Sequence, residues 1–197
     1  MARRSDYDIL RIQTSNTAIM WKESRGIAPD NVADKMDDAM LSWMSELTDT
    51  LKIWIDKGIS MTDGELILAR TNMGALVESW LKFFYCVFYE DYIKNPKTVK
   101  GKMVEPNNMK FEDLKNFSDG ILWDDNKSSM YIWVDKIQHY RNAVHAFNYR
   151  NIGTAIEFMS DMDELYKYVE HILNHIPSIE DYIPYYPAGY ITNVYYD

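Results

Sequence analysis

The chain has 197 residues, 47% hydrophobic and 26% charged, with only 8 Gly and 6 Pro, so one domain with a sizeable core is expected and wholesale disorder is excluded. Its single cysteine, Cys86, excludes an intramolecular disulfide framework and a cysteine-rich zinc site. With 30 acidic against 21 basic residues, a net charge of −9 excludes passive polyanion binding by the bulk surface.

At the start, Met1-Ala2-Arg3-Arg4 runs into polar Ser5-Asp6-Tyr7-Asp8 instead of an apolar stretch, so no leader is read there. The first predicted helix, about Asp6 to Trp21, spaces Ile9, Leu10, Ile12 and Met20 amphipathically. Gly26 to Pro29 interrupts it, and Asp30 is the expected cap of a long second helix, about Asn31 to Asp56. Val32, Met36, Met40, Trp43, Leu47, Leu51 and Trp54 form its apolar stripe, and Gly58 stops it. Thr62-Asp63-Gly64-Glu65 reads as a capping box opening a third helix that runs to about Tyr92. The second half of that helix is apolar nearly all round, which predicts a central position and a buried Cys86 thiol. Its uncharged run Phe83 to Tyr89 falls far short of the roughly 20 residues a membrane span needs, so no membrane association and a cytoplasmic location are expected.

Pro96, Gly101, Pro106 and Gly120 then punctuate a polar insertion with a short helical piece around Phe111 to Phe117. Lys94, Lys97, Lys100 and Lys102 crowd its beginning, either as a solvated loop or as a local RNA-binding patch. A fourth long helix, about Ser128 to Tyr149, carries Trp133, Ile137, Tyr140, Val144 and Phe147 inward, and a last one spans about Thr154 to His175. Beyond Pro177 lies a tail with Pro184, Pro187, six tyrosines and no Lys or Arg, expected to pack on the body or on a partner chain. The pattern as a whole predicts an all-α bundle of four to five helices with one irregular insertion.

No cofactor signature is present. His171 and His175 stand four apart, a spacing that suits a shared metal, but no third ligand is evident and none is expected. Asp161, Asp163 and Glu164 near the start of the last helix read as complements of its dipole. The informative stretch is His139 to Asn148. On an α-helix Arg141 and His145 lie nearly one above the other, Gln138 and Asn148 extend the stripe, and the core stripe is about 100° away. A half-covered His and Arg can move a proton and hold a phosphate, which suits attack of an RNA 2′-hydroxyl on its own phosphodiester.

Arg141-Asn142, two small or aliphatic residues and then His145 resemble the motif of HEPN (higher eukaryotes and prokaryotes nucleotide-binding) domains. Arg70 and Gly74-Ala75-Leu76-Val77-Glu78 resemble an earlier helix that carries an acidic residue in some of those families. The resemblance implies a HEPN-like fold and a metal-independent endoribonuclease of the toxin or phage-defence type. In it His145 would be the acid/base, Arg141 would hold the scissile phosphate with Asn142 in support, and Glu78 would orient the group. It also implies a homodimer whose two motifs meet, and in some members an antitoxin or nucleotidyltransferase partner. Here three residues separate Arg141 from His145, where the family commonly has four to six. The alternative of a different class is a non-catalytic HEPN-like module that binds a protein or nucleotide partner.

Overall fold

Thr62 begins the central helix as its sequence predicts: the Thr62 hydroxyl accepts from the Glu65 N–H, and the Glu65 carboxylate accepts from the Thr62 N–H. In the computed structural model, which describes residues 2–145 and 147–177, this helix, α4, spans Asp63–Val87. From Trp80 to Val87 only Lys82 is not buried, and Cys86 is enclosed so fully that burial pushes its thiol pKa up to about 12. The expected packing of the tail beyond Pro177 on the body or on a partner chain falls on residues outside those described.

Around α4 pack α3 (Leu41–Lys57), α7 (Ser129–Arg141) and α8 (Ala155–His175), with α1 (Ala2–Lys22) laid over α3 and α8. Three short helices complete the all-α bundle: α2 (Asp30–Asp38), α5 (Tyr89–Tyr92) and α6 (Phe111–Phe117). The described residues thus hold eight α-helices, of which five are long. Helix α8 opens on a second capping box, Thr154 with Glu157. No described helix is long and apolar enough to cross a membrane.

Three expectations need correction. The helix predicted over 31–56 breaks at Ala39 and Met40, where the backbone turns extended at ψ 139° and then ψ 64°. The break shifts the inward phase from Val32 and Met36 to Leu41, Met44, Thr48 and Leu51, and it leaves Met40 and Trp43 exposed. Lys22 secures the end of α2 by donating to the Asp37 carbonyl, while Arg25 pairs with Asp34 and Asp37. Asp30 is the first residue of α2 and not its cap, which is Pro29.

The second correction concerns the insertion. Lys100 and Lys102 lie in a small antiparallel hairpin, β1 (Thr98–Val99) with β2 (Lys102–Met103), that apolar periodicity does not announce. Lys100 and Gly101 make the turn at φ 53° and 75°, the left-handed pair that tight hairpins require. The third is that the helix predicted over 128–149 stops at Arg141 and continues only as a 3-10 turn, Asn142–His145. Val144 and Phe147 are exposed instead of buried, and Tyr149 is exposed with them.

Candidate active site

The end of α7 lies over a buried charge cluster in the core. Arg70 of α4 is wholly buried, and its guanidinium pairs with Asp161 of α8 at 2.5 Å. It also donates to the carbonyls of Ile152 and Thr154 and lies between the rings of Tyr140 and Phe158. Asp161 accepts in addition from Trp133 Nε1 at 2.9 Å and Lys136 Nζ at 2.5 Å. The loop before α8 is therefore tied to α4 beside Tyr140, the next-to-last residue of α7. Gly153 completes the turn at φ 70°, where an added Cβ would meet Glu157, Arg70 and Tyr140 within 3.1 Å. Asp161 is thus a buried ligand of Arg70 and not a dipole complement at the surface.

One residue beyond Tyr140, Arg141 faces the other way. A Cβ at Gly74 would overlap Cβ of Arg141 and lie 2.6 Å from its Cγ, so only glycine lets α7 approach α4 this closely. The stem of Arg141 crosses that gap, and its head meets Glu78 one turn further along α4 at 2.8 Å. Lys82 approaches the same carboxylate at 2.9 Å, and Asn142 Oδ1 accepts a long bond of 3.4 Å from Arg141. The side chain of Arg141 keeps 31% of its area exposed against 13% for Glu78, so part of the guanidinium stays open to a ligand.

His145 closes the 3-10 turn, exposed and without a hydrogen bond or ion pair among the described residues. The structure thus brings together Arg141, Asn142 and Glu78, while His145 follows them free. Gln138 and Asn148 do not share their stripe. Gln138 faces α6, where its hydrogen bond is the main reason the Glu112 carboxyl lies below its usual pKa, against an opposing effect of burial and with help from Asn116 and Lys115. Asn148 lies exposed beyond the 3-10 turn.

Of the four lysines at the start of the insertion, Lys94 pairs with Asp91 at 2.6 Å and Lys97 with Asp113 at 3.0 Å. Lys100 and Lys102 are exposed and carry no ion pair among the described residues. Asp113 adjoins Glu112, the partner of Gln138, so α6 links the hairpin to the turn of α7 just before Arg141.

No protein-family model, curated protein or solved structure matches this chain. Among the described residues no group of three or more His, Cys, Asp or Glu is placed to hold a metal ion. His171 Nε2 lies 2.5 Å from the Leu122 carbonyl, and His175 Nδ1 lies 2.7 Å from the His171 carbonyl, so each spends a ring nitrogen on backbone. The feature the sequence did not reveal is the contact of Gly74 with Arg141, whose only signal is a glycine inside an otherwise strong helical pattern.

Proposed function

We propose that this protein is a HEPN-like, metal-independent endoribonuclease of the toxin or phage-defence type, acting as a homodimer through Arg141, Asn142 and His145. The observation that carries the reading is an arginine fixed on Glu78 but partly open, followed within one 3-10 turn by an unpartnered histidine. Four steps of 3-10 winding carry His145 about 120° round and about 8 Å along from Arg141. Four intervening residues on an α-helix, the family's shorter spacing, give about 140° and about 7.5 Å. The tighter winding offsets the missing residue, which supports the resemblance where the count of residues alone weakens it.

The chemistry follows from the residue types. An RNA 2′-hydroxyl attacks the adjacent phosphorus, the 5′-oxygen leaves, and a 2′,3′-cyclic phosphate remains. His145 of one copy takes the hydroxyl proton, and the same residue of a second copy returns a proton to the leaving oxygen. Arg141 holds the non-bridging oxygens as negative charge builds. Val144, Phe147 and Tyr149, exposed beside this site, offer the apolar surface that a second copy would cover. Lys100 and Lys102 supply free positive charge for the incoming strand.

A second reading, the binding module, draws support from Glu78, which already neutralises Arg141, and from Lys94 and Lys97, which are spent on Asp91 and Asp113. Cleavage of end-labelled RNA in EDTA decides between them. Wild type should leave cyclic phosphate ends, and His145→Ala and Arg141→Ala, both folded, should lose at least about 100-fold in rate. Intact RNA with all three proteins would overturn the nuclease in favour of the module.

A further inference from the structure

A groove of about 340 Å³ opens on the far end of α4, between α5 and the stretch 117–121, with His175 at its lip. Its walls are aromatic: ring centroids lie 4.9 Å apart for Phe84 and Phe88, 5.3 Å for Tyr85 and Phe117, and 5.5 Å for Tyr92 and Phe117. Phe88 and Phe117 are half-buried and Ile121 is exposed, so this apolar wall faces outward. Polar groups are confined to the rim, at Asn95, at His175 and at Asp91, which Lys94 already pairs.

The chain carries a segment that matches these walls. The described residues end at Pro177, two positions past His175, and residues 178–197 follow. That segment holds Pro184-Tyr185-Tyr186-Pro187, a Pro-x-x-Pro sequence, within a run of further tyrosines and isoleucines and with no Lys or Arg. Pro-x-x-Pro segments favour the polyproline II form and dock into grooves lined by aromatic side chains. From Pro177 to Pro184 the chain reaches about 22 Å at about 3.1 Å per residue, ample to return over a groove rooted at His175. The tether supplies an effective concentration on the order of millimolar, so even a small contact suffices. Proline and tyrosine rings would lie on the aromatic walls, and tyrosine hydroxyls would reach Asn95 and Asp91 at the rim.

We propose that the aromatic groove of Phe84, Phe88, Tyr92, Phe117 and Ile121 is the docking site of the chain's own C-terminal segment, with Pro184 to Pro187 at its centre. The test uses the full chain carrying Ile121→Cys with Tyr186→Cys, mildly oxidised and resolved without reductant. The expected product is a disulfide at monomer mass. The pair Ile19→Cys with Tyr186→Cys, aimed at the separate groove between α1 and α3, should stay reduced. Replacing Pro184 and Pro187 with Gly leaves the helical body untouched and should slow the cross-link at least about tenfold. No cross-link at 121–186, equal rates for the two pairs, or indifference to the prolines would each overturn the proposal. Disulfide-linked dimers would overturn it too, assigning the groove to the segment of a second copy.

Discussion

Arg70 and Arg141 both leave their helices to meet a carboxylate near the contact of α4 with α7, and neighbouring residues of α7 serve them. Tyr140 covers Arg70, whereas Arg141 is the next residue along. Arg70 is 0% exposed and spends its donors on Asp161 and two carbonyls. Arg141 is 31% exposed, with one good bond to Glu78 and one long one to Asn142. The chemistry is shared, so burial decides the role. A guanidinium sealed among tyrosine, phenylalanine and carbonyls can only hold the fold together, while one anchored on a single side keeps donors for an outside anion.

The sharpest way to break this comparison is to remove the buried carboxylate. Asp161→Asn leaves Arg70 charged and poorly paired in the interior, and it weakens the bonds from Trp133 and Lys136. The expected loss is about 3–5 kcal/mol, read as a lower urea midpoint at unchanged slope. Adding Arg70→Met should recover part of it, because the unpaired charge goes as well. An unfolding free energy within about 0.5 kcal/mol of wild type for Asp161→Asn alone would show that burial does not separate the two arginines.

The difference between the two arginines was only partly visible in the sequence. Apolar spacing located the helices, Thr62 with Glu65 marked the start of α4, and its all-round apolar second half foretold the burial of Cys86. Thr154 with Glu157 carries the same capping pattern and could have been read too. Periodicity says which face turns inward, but it does not say which charged residues meet there. Arg70 and Asp161 lie 91 positions apart, and nothing local distinguishes Asp161 from Asp163. A local apolar pattern that runs smoothly to Phe147 likewise does not show that α7 stops at Arg141. Arg141 and Glu78 were legible as a group because the resemblance carried by a five-residue motif and one glycine-led turn names both, whereas the position of His145 depends on the unforeseen 3-10 turn.

A milder perturbation tests the gap between the helices. Gly74→Ala puts a methyl group far inside van der Waals contact of Cβ and Cγ of Arg141, and backbone on both helices must give way. Overpacking of this kind costs about 1–3 kcal/mol. It should also shift Arg141 off Glu78, so on the proposed nuclease reading the cleavage rate of the folded protein should fall at 25 °C, where that loss leaves most molecules native. Unchanged stability and activity would mean that the two helices need no glycine to meet.

The smallest effect on stability should come from Glu78→Gln, and there the two regions separate most clearly. The pair with Arg141 is partly exposed, and Lys82 shares the carboxylate, so the expected loss is below about 1 kcal/mol. If Glu78 acts as a positioning residue for the proposed nuclease, the catalytic rate is affected far more than the fold. A guanidinium misplaced by about 1 Å can cost about 100-fold in kcat. KM should not rise, because Arg141 keeps its charge and loses a competing anion. A fall in kcat no larger than the unfolded fraction, at unchanged KM, would assign Glu78 to stability alone. A rise in kcat would reverse its role, making Glu78 the shield that RNA must displace from Arg141.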